Sequence, residues 1–175
     1  IALILLPMLV IIGQRETGSA LVYLAFFLVL YREGMTGLVL LSAISLILYF
    51  IVGIRFSETA FISLPTNLGH YLVLLLIHAF SICMTKFWCK NGRTAFILLV
   101  VNVVVSLASY WIAVYLITFN IIYVQYMLIV FNIIYLLLNI RLRREKRNLW
   151  VILFILGSLV FYNSCDYVMH NVLRP

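Results

Sequence analysis

The residues best suited to chemistry in this chain lie in one short polar segment, residues 14–20, between two long apolar runs. The segment includes the polar residues Gln14, Arg15 and Glu16 and the small residues Gly18 and Ser19. A charged pair is costly inside hydrocarbon. It therefore lies either at a membrane surface, as an ordinary connection between helices, or beside a water-filled cavity where ionisable groups serve substrates or ions.

The composition indicates that this segment belongs to a membrane protein. Apolar residues make up 66% of the 175 residues and charged residues only 10%, with a mean hydropathy of +1.21. Such a chain has too little polar surface for a soluble globule, which predicts an all-α, polytopic transmembrane helix bundle. The chain starts inside an apolar run without Met. We therefore expect an internal fragment of a longer protein, forming a single membrane-embedded domain over residues 1–175.

Seven transmembrane segments are predicted, because a helix needs about 20 apolar residues to cross about 30 Å of hydrocarbon. The uncharged stretch 94–140 is 47 residues long, which suits two crossings with a turn near residues 118–120. The predicted segments are 1–13, 17–31, 35–54, 68–85, 94–116, 120–140 and 149–162.

Lysine and arginine divide unequally between alternate connections, which predicts the orientation of the bundle. One side has only Arg15, Arg55 and Arg174, and we expect this side to face outward. The other side has nine basic residues, and we expect it to face the cytoplasm and anionic membrane lipids rather than nucleic acid. These nine are Arg32, Lys86, Lys90, Arg93, Arg141, Arg143, Arg144, Lys146 and Arg147.

Polar residues form a stripe on each helix of the predicted hairpin 94–140. The first comprises Asn102, Ser106 and Ser109, and the second comprises Gln125, Asn132 and Asn139. Spacings of three, four and seven place each set on a single helix face. We expect the two stripes to face each other as interhelical hydrogen-bonding groups. A polar permeation path is the alternative.

The remaining ionisable and sulfur-containing residues do not favour a metal site. His78 is a lone imidazole in a predicted span, which is typical of a hydrogen-bonded core residue more than of a proton relay. Cys83 and Cys89 are six residues apart, and Cys165 is on the other side of the predicted membrane. No cluster has the spacing of a structural zinc site.

The polar segment also carries a family resemblance. Residues 14–20, followed by Tyr-Arg-Glu-Gly at 31–34, resemble the Gln-Pro-Asp-x-Gly-Thr/Ser-Ala signature of the SEDS family (shape, elongation, division and sporulation), most of all its rod-shape members. Residues 166–175 are similar to the segment that leads into the large outer loop of that family. The resemblance is weak between these two regions, where residues 17–175 contain four more helices than the common family pattern.

The resemblance implies a peptidoglycan glycosyltransferase of the bacterial inner membrane that polymerises lipid II for cell-wall elongation. Its partner would be a class B penicillin-binding protein. The family's proposed catalytic Asp belongs to the outer loop, which would follow Pro175, so we expect no catalytic residue in this fragment. No cofactor is expected from the chain itself, and any divalent cation would come with the pyrophosphate of lipid II.

Two departures from the signature affect the expected roles. Arg15 replaces the usual Pro, and Glu16 replaces the usual Asp with a carboxylate one methylene longer. Glu16 could accept a proton, hold a cationic partner in the substrate cavity, or cap the following helix. Gly18 and Ser19 suit close helix packing. Two other classes of function remain open, a membrane transporter or lipid flippase and a non-catalytic membrane scaffold.

Overall fold

The computed structural model describes residues 29, 32, 34, 36–56, 60–61, 64–115 and 119–168. These residues form five helices and one short antiparallel hairpin. The elements are α1 (Gly37–Arg55), β1 (Ala60–Phe61), β2 (Leu64–Asn67), α2 (Leu68–Phe87), α3 (Gly92–Tyr115), α4 (Ile121–Arg143) and α5 (Asn148–Val168).

Four of these helices, α2 to α5, are long and apolar enough to cross a membrane, which indicates a multi-pass membrane protein. The described part of the chain thus has five helices, not the seven predicted for the whole. The predicted segments 1–13 and 17–31 lie outside the described residues, apart from Val29. The chain divides by contacts into two compact units, residues 1–44 and 45–175. The bundle α2 to α5 belongs to the second unit.

Local side-chain chemistry fixes the helix ends. The Asn91 side chain accepts a hydrogen bond from the backbone N–H of Thr94 (3.2 Å), and Asn120 accepts one from Ile122 (3.0 Å). Both amides therefore satisfy donors that a helix start leaves free. α4 continues to Arg143, past its predicted end at residue 140, because basic residues in a last turn interact favourably with the helix dipole. It ends where Arg144 adopts a left-handed conformation (φ 54°).

α2 is the central helix of the bundle. It packs against α3, α4 and α5, and α4 also packs against α3 and α5. The core side chains Val73, Leu74 and Ile77 on α2 are each no more than 1% exposed. By contrast, Val104 and Leu107 on α3 are 57% and 58% exposed, as expected for side chains that contact lipid rather than water.

Gly69, in the first turn of α2, allows a close approach of backbones. A Cβ atom there would lie 2.9 Å from the carbonyl carbon of Phe56 and 3.0 Å from the carbonyl oxygens of Gly53 and Phe56. The Gly69 N–H also donates to the Phe56 carbonyl (3.1 Å). Since these neighbours are backbone atoms, they cannot move aside by changing a rotamer.

We therefore expect Gly69→Ala to lower the free energy of unfolding by about 1–3 kcal/mol, the usual cost of overpacking. Gly157→Ala on α5 is the matched control, because nothing lies within 4 Å of its Cβ position. That control should be neutral or stabilising by up to about 1 kcal/mol. Denaturation in mild detergent measures both. Equal stability of the two variants would show that the α2 junction can relax around a methyl group.

The two ends of the bundle differ in charge. The α2–α3 and α4–α5 connections lie at the same end, where the Asn91 Nδ2 donates to the Glu145 carboxylate (2.6 Å). Eight Lys and Arg residues belong to this basic end: Lys86, Lys90, Arg93, Arg141, Arg143, Arg144, Lys146 and Arg147. At the opposite end, Tyr126 on α4 contacts His70 on α2 and Asn163 on α5.

This polarity makes a prediction about orientation. In a background with all Cys replaced by Ser, Asn67→Cys should react with a membrane-impermeant maleimide in intact cells. Lys90→Cys should react only after permeabilisation, because positively charged connections are retained in the cytoplasm. Both positions are exposed, so access is not limited by packing. Labelling of Lys90→Cys from outside would show that the orientation is the reverse of the one predicted.

Candidate functional site

A buried polar network joins α2, α3 and α4 in the middle of the bundle. At its centre, Asn102 on α3 and Asn132 on α4 form a reciprocal amide pair. The Asn102 Nδ2 donates to the Asn132 Oδ1 (3.0 Å), and the Asn132 Nδ2 donates back to the Asn102 Oδ1 (3.2 Å). Both residues are at most 5% exposed. The pair therefore crosses between helices in a region with no access to water.

His78 connects α2 to this pair. Its Nδ1 lies 3.0 Å from the Asn132 Nδ2, which is a donor. The Asn102 Nδ2 also donates to the Leu98 carbonyl (2.7 Å), which fixes the orientation of both amides, so the His78 Nδ1 accepts and the proton is on Nε2. The imidazole is thus assigned as neutral, as expected for a histidine only 3% exposed.

A second bond between α3 and α4 lies one turn from the amide pair. The Gln125 Nε2 donates to the Ser106 Oγ (3.1 Å), and the Ser109 Oγ donates to the Ser106 carbonyl on its own helix (2.9 Å). Gln125 also lies beside the imidazole of His78. However, the His78 Nε2 and the Gln125 Oε1 are each buried without a hydrogen bond among the described residues. One atom is a donor and the other is an acceptor.

The structure brings together four of the six stripe residues across the helix interface, Asn102 with Asn132 and Ser106 with Gln125. The other two form hydrogen bonds within their own helices. Ser109 donates to Ser106, and the Asn139 Nδ2 donates to the Tyr135 carbonyl (2.9 Å). The five motif residues Gln14, Arg15, Glu16, Gly18 and Ser19 lie outside the described residues, so their predicted roles stay predictions.

The network consists of amide, hydroxyl and imidazole groups, which can bind and position polar groups. Among the described side chains the one carboxylate is Glu145, and it lies at the basic end of the bundle. The amides of Asn132 and Gln125 lie beside the His78 imidazole, and no acidic partner is found among the described side chains. In those same ranges, no group of three His, Cys, Asp or Glu residues could hold a metal ion.

Two polar clusters were not predicted from the sequence. At one end, the Tyr126 hydroxyl lies 3.0 Å from the His70 Nε2 and 3.4 Å from the Asn163 Oδ1, while the Tyr162 ring packs edge-on against His70. At the basic end, Glu145 accepts hydrogen bonds from Asn91 and Asn148. Neither cluster has a regular sequence spacing, because each joins residues from different elements.

The Glu145 cluster also affects a thiol. Burial raises the pKa of Cys89, which is 6% exposed in the α2–α3 connection. Arg147 opposes this rise because it favours the thiolate, whereas Glu145 adds to the rise because it disfavours a second negative charge. Burial and Glu145 therefore both disfavour the reactive thiolate form of Cys89.

Comparison with known proteins gives no relative for this chain: no family model, no curated protein and no solved structure matches it. The four long apolar helices place this chain in the class of multi-pass helical membrane proteins. A closer assignment depends on the chain's own residues.

Proposed function

We propose that this chain is part of a SEDS-type peptidoglycan glycosyltransferase that polymerises lipid II for cell-wall elongation in the bacterial inner membrane. The observation that carries the proposal is the segment 14–20, with Glu16 at the acidic position of the signature and Gly18-Ser19-Ala20 at its small residues. The Tyr-Arg-Glu-Gly sequence at 31–34 and the segment 166–175 add to it.

The direction of the bundle supports the proposal. The family pattern requires the segment after the last helix to emerge on the outer face. α5 runs away from the basic end, so Val168 lies at the opposite end from the connections that hold eight basic residues. If the basic end faces the cytoplasm, α5 ends on the outer side. The outer loop would then meet lipid II on the side where its sugars are presented.

We assign the polar network a packing role within this enzyme. Asn102, Asn132 and Gln125 are 5% exposed or less, and their bonds join helices instead of lining an aqueous path. Hydrogen bonds of this kind contribute about 0.6 kcal/mol each in membrane bundles. The network would thus hold α2, α3 and α4 together within the region of the extra helices.

A transporter or lipid flippase is the second candidate function. The observation that favours it is the His78 Nε2, a buried donor without a hydrogen bond in a membrane-spanning helix. Ionisable groups at such positions often mark substrate or proton pathways. A scaffold without catalysis would need only the helix packing.

The test is glycan-strand synthesis from lipid II by the purified protein that contains this chain, together with its class B penicillin-binding partner. Glycan chains that lengthen with time are the expected result. A parallel assay follows lipid II movement across vesicles that contain the same protein. Movement of lipid II without polymerisation would support the flippase instead of the polymerase. If the protein showed neither activity, the non-catalytic scaffold would be the remaining assignment.

A further inference from the structure

An open groove runs along the interface between α2 and α3. It has a volume of about 620 Å³, and apolar side chains from both helices line it, among them Leu75, Ile82, Leu99, Val103 and Leu107. Val103 and Leu107 are 48% and 58% exposed, so the groove opens toward the surrounding hydrocarbon. From Tyr71 to Phe87 it follows α2 for about 24 Å, longer than one leaflet of a bilayer.

The groove ends at a cation. Lys86, in the last turn of α2, lines the groove at the basic end of the bundle, and its ammonium lies 5.6 Å from the centre of the Phe87 ring. Among the described side chains, the one carboxylate is that of Glu145, which accepts hydrogen bonds from Asn91 and Asn148. Lys86 is exposed and free to meet an anion at the membrane surface.

Two polar residues that line the groove have partners inside the bundle, whereas the Nε2 of His78, which also lines it, has no hydrogen bond among the described residues. Asn102 bonds to Asn132 and to the Leu98 carbonyl, and Ser106 accepts from Gln125. The groove therefore offers apolar contacts along its length and a positive charge at one end. A transmembrane helix typically docks through small residues and polar side chains. Ala79 is the one small apolar residue that lines the groove, so the groove suits a lipid better than a helix.

We infer that this groove binds an anionic diacyl phospholipid, with an acyl chain between α2 and α3 and the headgroup phosphate on Lys86. Basic pockets between transmembrane helices on the cytoplasmic side bind anionic headgroups by the same combination of contacts. The inference goes beyond the proposed glycosyltransferase and does not depend on it.

Native mass spectrometry of the purified protein with phosphatidylglycerol or phosphatidylcholine of equal chain length tests the inference. The unmodified protein should retain one phosphatidylglycerol in preference to phosphatidylcholine. Lys86→Gln should reduce phosphatidylglycerol binding about fivefold and phosphatidylcholine binding less, because the choline group of phosphatidylcholine offsets the charge of its phosphate. The matched control is Lys146→Gln, an exposed lysine at the same end that does not line the groove, and it should change binding less than twofold.

A second variant tests the acyl-chain site. Ala79→Phe adds a ring at an exposed position in the groove and should reduce binding of both lipids, while thermal melting verifies that the bundle stays folded. The inference is overturned by equal effects of Lys86→Gln and Lys146→Gln, by no effect of Ala79→Phe, or by no preference in the unmodified protein. A photo-crosslinker at Val103 that captures a polypeptide instead of lipid in cells would also overturn it.

Discussion

Asn132→Leu should lower the free energy of unfolding of the bundle by about 2 kcal/mol. The Asn132 amide takes part in three interhelical hydrogen bonds, two with Asn102 and one with His78, and bonds of this kind are worth about 0.6 kcal/mol each in membrane proteins. Leucine leaves the Asn102 amide and the His78 Nδ1 buried without these partners, which is the costly way to lose a hydrogen bond. Denaturation of the purified protein in mild detergent measures the loss.

Asn139→Leu is the matched control, since Asn139 is on the same helix and is also buried. Its Nδ2 donates to the Tyr135 carbonyl one turn earlier, so the substitution breaks no bond between helices. We expect a change of no more than about 0.5 kcal/mol. A difference between the two variants then isolates the interhelical bonds from the effect of placing leucine in a membrane helix.

The double variant Asn102→Leu/Asn132→Leu separates the pair from its surroundings. Replacing both partners by apolar groups removes the unsatisfied amide that each single variant leaves behind. The double variant should therefore be more stable than the sum of the two single losses predicts, by about 1 kcal/mol. Strict additivity would mean that the amide pair contributes no direct coupling, and that the network is incidental to packing.

The helix positions could be predicted because two features can be read directly from the sequence. These are the length of each apolar run, which must match the hydrocarbon thickness, and the charged residues that end it. Apolar runs interrupted by Lys and Arg give α1 to α5 to within a few residues at most ends. The errors have local causes. α5 continues beyond residue 162 to Val168, because Asn163 and Ser164 can remain in a helix that is leaving the membrane.

Partners between helices could be predicted only where periodicity specifies them. The seven-residue spacing of Gln125 and Asn132 identified a shared face, and the adjoining hairpin identified the opposite stripe. The periodicity could not show that His78, on the earlier helix α2, approaches the Asn132 amide. Nor could it show that Ser109 and Asn139 bond within their own helices, since a backbone carbonyl is always available to a short polar side chain.

Glu16 is the residue on which the proposed function depends, and its replacement should have the largest effect on activity. If the chain belongs to a SEDS polymerase, Glu16 is near the outward-facing cavity and holds cationic groups in place, while an Asp of the outer loop acts on the acceptor hydroxyl. Glu16→Gln keeps the size of the side chain and removes its charge. We expect lipid II polymerisation to fall about a hundredfold, the scale of loss when a catalytic group is misplaced by about 1 Å.

Three controls test whether the loss of activity is specific to the Glu16 carboxylate. Glu16→Asp should retain much of the activity, because the family signature has Asp at this position. Glu58→Gln removes a carboxylate of another predicted outer connection and should leave polymerisation near its original rate. Membrane insertion of all three variants should match the unmodified protein, since one outer-face carboxylate contributes little to topology. Unchanged polymerisation by Glu16→Gln would reduce Glu16 to a helix cap, whose loss costs stability rather than activity.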